Sequence, residues 1–216
     1  MNYNFLLLVL LGGLLGTCML YLTRYFILKR TSEKAMGLLV DKSWSWILWA
    51  LIGAVGCFII VIISDDTLST YEYMAIYFVL ISLSVVDGTI RKIPNELLLA
   101  LIILKLIFVG ITGEWATLLY ALAGFAVGWV LFVVPSVLGL SIGWGDVKLA
   151  AVTGFYLGII GLIQAMVIMG IILAVYGAYL LITKKGSLKS KVAIGPPLSM
   201  GILVTLLYPI AAIINI

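Results

Sequence analysis

Long apolar runs, separated by short polar islands, pattern this chain from one end to the other. Runs near 4–28, 44–63, 67–86, 96–110 and 115–138 approach or reach the ~20 residues that a helix needs to cross about 30 Å of hydrocarbon. The next stretch is apolar from 147 to 182. As one helix it would be roughly 54 Å long at about 1.5 Å per residue, so the pattern divides it near residues 158–161 into a sixth and a seventh span. An eighth span, 194–214, is entered through Gly195-Pro196-Pro197. The pattern therefore predicts an all-α, polytopic integral membrane helix bundle of about eight transmembrane helices. The short sixth span is open to a tilted or partly re-entrant path.

Composition supports a bilayer as the solvent. Of 216 residues, 64% are hydrophobic and 10% charged, more apolar surface than a soluble domain of this size can hide. The formal net charge of +4 is not a nucleic-acid signal, because the cations sit in loops. Lys29, Arg30, Lys34, Lys42, Arg91, Lys92, Lys148, Lys184, Lys185, Lys189 and Lys191 all fall in odd-numbered loops. The even-numbered loops carry only Asp65, Asp66 and Glu114. This asymmetry places the odd loops in the cytoplasm and both termini outside. Trp44, Trp46 and Trp49 read as an interfacial belt, and Asp65 and Asp66 as the close of the second span. No basic stretch precedes the first apolar run, so a retained first span is expected rather than a cleaved signal. The pairs Gly12-Gly13, Gly53-xx-Gly56 and Gly124-xxx-Gly128 sit within spans and suit close helix contact.

The chain has no histidine, which removes Ser-His-Asp and Cys-His nucleophiles, His-ligated zinc and HExxH metalloproteases together. Gly139-Leu140-Ser141-Ile142-Gly143 matches the nucleophile-elbow pattern but has no histidine partner, and is read as coincidence. Cys18 and Cys57 form no CxxC and read as packing residues. Lys105 is a lone cation in the middle of the fourth run. Its side chain can snorkel, pair with a carboxylate or face a wet groove.

Two aspartates stand out. Asp87 ends the third apolar run, ahead of Arg91, Lys92 and Pro94, and Asp146 follows Gly143-Trp144-Gly145 at the head of the sixth. A carboxylate beside hydrocarbon is costly and points to function by default. Two spans lie between them, so both are expected at the cytoplasmic face. Two carboxylates in contact share a proton and can hold one water between them, one taking its proton while the other donates to a peptide carbonyl. The helix dipole favours the ionised form at a helix start and disfavours it at a helix end, which casts Asp146 as base and Asp87 as acid. Gly143 and Gly145 admit a close-lying substrate strand, and Pro94 keeps the stretch after Asp87 extended. An aspartate at a helix start is also an ordinary cap, and Asp87 alone reads equally as an interfacial charge. The pair, with Gly-x-Gly before one member, favours catalysis.

These residues resemble a known family. Asp87 with Ile93-Pro94-Asn95, then Gly143-Trp144-Gly145-Asp146-Val147-Lys148, then Gly195-Pro196-Pro197, is similar in content and order to the type IV prepilin peptidases, which are GxGD membrane aspartyl proteases. The resemblance covers roughly residues 70–216. It implies a peptidase core over 71–216 and a reduced N-terminal transmembrane region over 1–70. It implies removal of a short basic leader from prepilins or pseudopilins at the cytoplasmic face of a prokaryotic plasma membrane, commonly after a glycine. Asp87 and Asp146 would be the catalytic pair, Lys148 would lie near them and tune charge, and neither metal nor cofactor is implied. Many members also methylate the new pilin N-terminus through a region with four cysteines in the first cytoplasmic loop. Here that loop, residues 29–43, is short and has no cysteine, so a peptidase-only form is expected. Two readings from other classes compete: a small proton-coupled transporter, and a non-catalytic assembly subunit. Placement of both acids at one edge, without an inverted repeat, argues against the carrier.

Overall fold

A computed structural model describes residues 3–31, 38–64, 66–139, 142–184 and 192–210. Lys34, Asp65, Leu140, Ser141, Lys185, Lys189 and Lys191 lie outside the described residues. The described chain is helical: α1 (Tyr3–Arg30), the short α2 (Leu38–Asp41), α3 (Ser45–Ile63), α4 (Thr67–Ile90), α5 (Asn95–Thr112), α6 (Thr117–Val137), α7 (Trp144–Ile182) and α8 (Gly195–Leu207). Among the described residues, six of these helices are long and apolar enough to cross a membrane. This is a polytopic helical membrane protein. Its outward-facing leucines, isoleucines and valines are what a helix presents to lipid. Two compact units divide the chain, Met1–Ile111 and Thr112–Ile216.

In the first unit α1 packs on α3 and α4, and α3 on α4. The contact between α1 and α3 is as close as glycine permits. A methyl group built on Gly16 would lie 2.2 Å from the Trp49 carbonyl oxygen, and one on Gly53 2.2 Å from that of Gly12. Small residues let membrane helices approach until dispersion between backbones replaces the missing hydrophobic drive. Gly56 does something different: it opens a slot for the ring of Tyr77, whose hydroxyl donates to the Ile52 carbonyl at 2.7 Å. The expectation that these glycines serve helix contact is met.

Two details depart from expectation. Trp49 is not in an interfacial belt. It is only 1% exposed, because its indole N–H finds the Leu39 carbonyl at 2.9 Å, so the ring can be buried without leaving its donor unsatisfied. Trp44 and Trp46 are exposed. Asp66 opens α4 rather than closing the span before it. Its carboxylate accepts the Ser69 N–H at 2.8 Å and the Ser69 hydroxyl at 2.5 Å, as an N-cap does. Those two hydrogen bonds hold the Asp66 carboxyl below its ordinary value. A depressed folded value means that the cap stabilises above the unfolded value and is lost as pH falls through the folded one. Asp66→Ala is therefore expected to lower the melting temperature slightly at pH 7, with the gap from wild type closing under acid conditions. Paired thermal scans in detergent at pH 7 and below pH 3 check this, and a gap that persists in acid would contradict it.

The second unit is built on α7, which packs against α6 and α8. Methyl groups on Gly124 and Gly154 would each fall on the other's carbonyl oxygen, at 2.1 and 2.0 Å, and one on Gly128 would meet the Ala150 oxygen at 2.4 Å. The first half of α7 is almost continuously buried from Val147 to Tyr156. Gly158 breaks the helix, with φ 69° and ψ −174°, a conformation that only glycine adopts without strain. The break expected near 158–161 is thus present, and it leaves residues 144–157 as a segment of about 21 Å at ~1.5 Å per residue. The helix expected to fill 194–214 ends sooner, at Leu207. Pro209 has no N–H to continue it. Gln164 of α7 serves the backbone on both sides of that proline: its amide donates to the Tyr208 carbonyl at 2.8 Å and accepts the Ile210 N–H at 2.9 Å.

Candidate active site

Asp87 lies in the last turn of α4, within the first unit, and is 4% exposed. The helix runs past it to Ile90, three residues beyond the expected end. Arg91 then takes the left-handed conformation, φ 52°, and its N–H closes on the Asp87 carbonyl at 2.8 Å. The chain is irregular from Arg91 to Pro94, and Pro94 is buried. The stretch after Asp87, expected to be extended, instead continues the helix to Ile90 and is without regular structure only from Arg91, since a proline restricts only the residue before it. Pro94 also launches α5: its carbonyl accepts the N–H groups of Leu97 and Leu98 at 3.2 and 3.3 Å.

Asp146 lies in the first turn of α7, within the second unit, three residues after the N-cap Gly143. Gly143 is extended, φ −71° and ψ 140°, and its carbonyl accepts the Asp146 and Val147 N–H groups at 3.0 and 3.2 Å. A methyl group on Gly143 would come within 3.1 Å of an Asp146 carboxylate oxygen. The first glycine of Gly-Trp-Gly-Asp therefore keeps space beside the carboxylate, a tighter requirement than the backbone freedom inferred from sequence. Asp146 and Gly145 are partly exposed, while Gly143 and Lys148 are exposed. Val147, between Asp146 and Lys148, is fully buried and packs with Phe132 and Ala150. The helix is thus anchored by its apolar side, and its acid-bearing turn stays accessible. Lys105 is half-buried on α5. Among the described residues no cluster of three or more acid or thiol side chains is placed to hold a metal ion.

Sequence reasoning missed a polar cluster beside the Asp87 turn. Glu96, in the first turn of α5, pairs with Arg30 and with Lys29 (3.4 Å) at the end of α1, and the Lys92 ammonium reaches the Arg30 carbonyl at 3.4 Å. Partners 62 to 67 residues apart leave no local signal.

An apolar bundle with a buried acid at one helix end and an accessible acid at one helix start defines a membrane protein whose polar chemistry sits at helix termini. The model of the type IV leader peptidase family matches residues 74–178, a stretch that contains both Asp87 and Asp146. Over that stretch the chain is similar to this family of leader peptidases, and the match supports reading it as a membrane peptidase. No curated protein and no solved structure matched it significantly.

Proposed function

We propose that this protein is an aspartyl endopeptidase that removes the short basic leader from type IV prepilins or pseudopilins. The family match across both acid-bearing turns is the observation that carries this reading. In it Asp87 and Asp146 hold one water between them. Asp146 takes its proton and Asp87 donates to the scissile carbonyl, and the two titrate as one pair. Two candidate spans, α5 and α6, separate the acids along the chain, which supports placing both at one membrane face. The loop charges make that face cytoplasmic, in a prokaryotic plasma membrane.

Gly143 and Gly145 give the substrate strand room beside Asp146, Lys148 adds a positive charge next to the pair, and Pro94 shapes the strand-facing turn after Asp87. Residues 71–216 are the peptidase core, and residues 1–70 are a reduced N-terminal region without the methylating cysteines. The mechanism requires no metal or cofactor.

Reconstitution of the full chain in liposomes with a prepilin-like substrate tests this. Mass spectrometry is expected to show a single cut at the end of the leader and no added methyl group on the product. Intact substrate, with solute uptake into the same vesicles, would replace the peptidase with a carrier. A methylated product would overturn the peptidase-only form.

A further inference from the structure

The geometry points to the end of α1 as a positioning strap for the turn that carries Asp87. This deepens the peptidase reading and rests on it. The segment that follows Asp87 is tied at two points, Lys92 and Glu96, to two consecutive residues of α1. On one side Arg30 and Lys29 pair with Glu96, at the start of α5. On the other, the Lys92 ammonium donates to the Arg30 main-chain carbonyl. Between these ties lies the irregular stretch through Pro94, and directly before the first of them stands the left-handed Arg91, whose N–H closes on the Asp87 carbonyl itself.

A left-handed residue followed by a few residues without secondary structure is soft unless its surroundings hold it. Here the holding groups come from a helix that carries neither candidate acid. Arg30 is itself fixed. Its guanidinium stacks over Phe26 at 5.5 Å, and its side chain is 19% exposed, against 43% for Glu96. The strap therefore has a rigid end on α1 and a more open end on α5. It gives the reduced N-terminal region a role in catalysis: Lys29, Arg30 and Glu96 set where the Asp87 carboxyl sits, without touching substrate. Exposed ion pairs contribute little to stability, so the effect belongs in turnover rather than in melting temperature.

Charge exchange tests this in the full chain, reconstituted with a prepilin-like peptide. Arg30→Glu and Glu96→Arg each place like charges together, and the double variant restores an opposed pair. Each single change is expected to lower kcat at least tenfold with KM within about twofold of wild type, and to move the acidic limb of the pH–rate profile. The double variant is expected to recover most of kcat and the wild-type profile. Singles with wild-type kcat, a loss confined to KM, or a double variant no better than the singles would overturn the strap.

Amide hydrogen exchange over residues 88–94 reads the same device without substrate. It should quicken in each single variant and slow again in the double, and unchanged exchange overturns the proposal whatever the activity. A wild type that never cuts, with those exchange differences intact, sinks the peptidase reading and leaves the strap standing.

Discussion

Asp87→Asn and Asp146→Asn are each expected to cut leader-peptide turnover by about 10²–10⁴-fold, the usual worth of a positioned acid or base. Asparagine keeps the size of the side chain and most of its hydrogen-bonding capacity, but it can neither ionise nor carry the shared proton. The buried Asp87, 4% exposed, is the more demanding site, and the near-isosteric change is chosen so that its packing survives. If the two acids work as one unit, the double variant falls little below either single, because the second loss removes nothing that still functions. The wild-type rate is expected to fall at acid pH, where both carboxyls carry protons and none is left to activate water. That acidic limb should persist in whatever activity Asp87→Asn retains, since the base Asp146 remains, and vanish from any that Asp146→Asn retains. Product accumulation, measured by mass spectrometry at matched amounts of folded protein, decides the matter. Wild-type turnover by either variant would end the two-acid mechanism.

Gly154→Ala is expected to destabilise the protein by about 1–3 kcal/mol, the cost of forcing bulk into a closed contact. The new methyl group would lie 2.0 Å from the Gly124 carbonyl oxygen, and backbone cannot swing aside as a side chain end can. The helices α6 and α7 must part by more than 1 Å, roughly, to restore an ordinary contact. Gly170→Ala and Gly177→Ala on the same helix are the controls, because nothing lies within 4 Å of a methyl group at either position. There the change is expected to stabilise by roughly 0.5–1 kcal/mol, since alanine loses less freedom than glycine on entering a helix. Gly124→Ala combined with Gly154→Ala should cost less than the sum of the two, because one separation relieves both clashes. Unfolding in mixed detergent micelles measures the four single variants and the double. Equal effects at 154 and 170 would show that packing at Gly154 is not the cause.

Much of the fold was legible in the sequence because hydrocarbon imposes length. The apolar runs near 44–63 and 115–138 correspond closely to α3 and α6, and the excess length of 147–182 foretold the break that Gly158 makes. Helix ends were harder to read. Nothing about Gly88, Thr89 or Ile90 stops a helix, so α4 runs on past Asp87 until Arg91 turns left-handed. Asp66 was assigned to the wrong span because a carboxylate between two apolar runs can close one or cap the next, and only the hydrogen bonds to Ser69 distinguish them. Trp49 faces inward for a reason that hydropathy does not contain, a carbonyl on α2 within reach of its N–H. At the candidate site, the two aspartates and their flanking glycine and proline were apparent from their costly placement. The grip of Arg30 and Lys29 on Glu96 was not, since it exists only once the end of α1 meets the start of α5.

Gln164 carries one more consequence, for how tolerance to mutation is ranked in such a protein. A hydropathy scale scores glutamine to leucine in a spanning helix as an improvement, and it would favour that change at position 164 above most others. Yet this amide is the partner of two main-chain groups on either side of a proline, at Tyr208 and Ile210. Removing it adds an apolar side chain and strips a carbonyl and an N–H of the partners they have in surroundings where water is scarce. The sign of the ranking is thereby inverted. The most oil-loving replacement becomes the least acceptable, and a stabilising library built on hydrophobicity alone would err first at this residue.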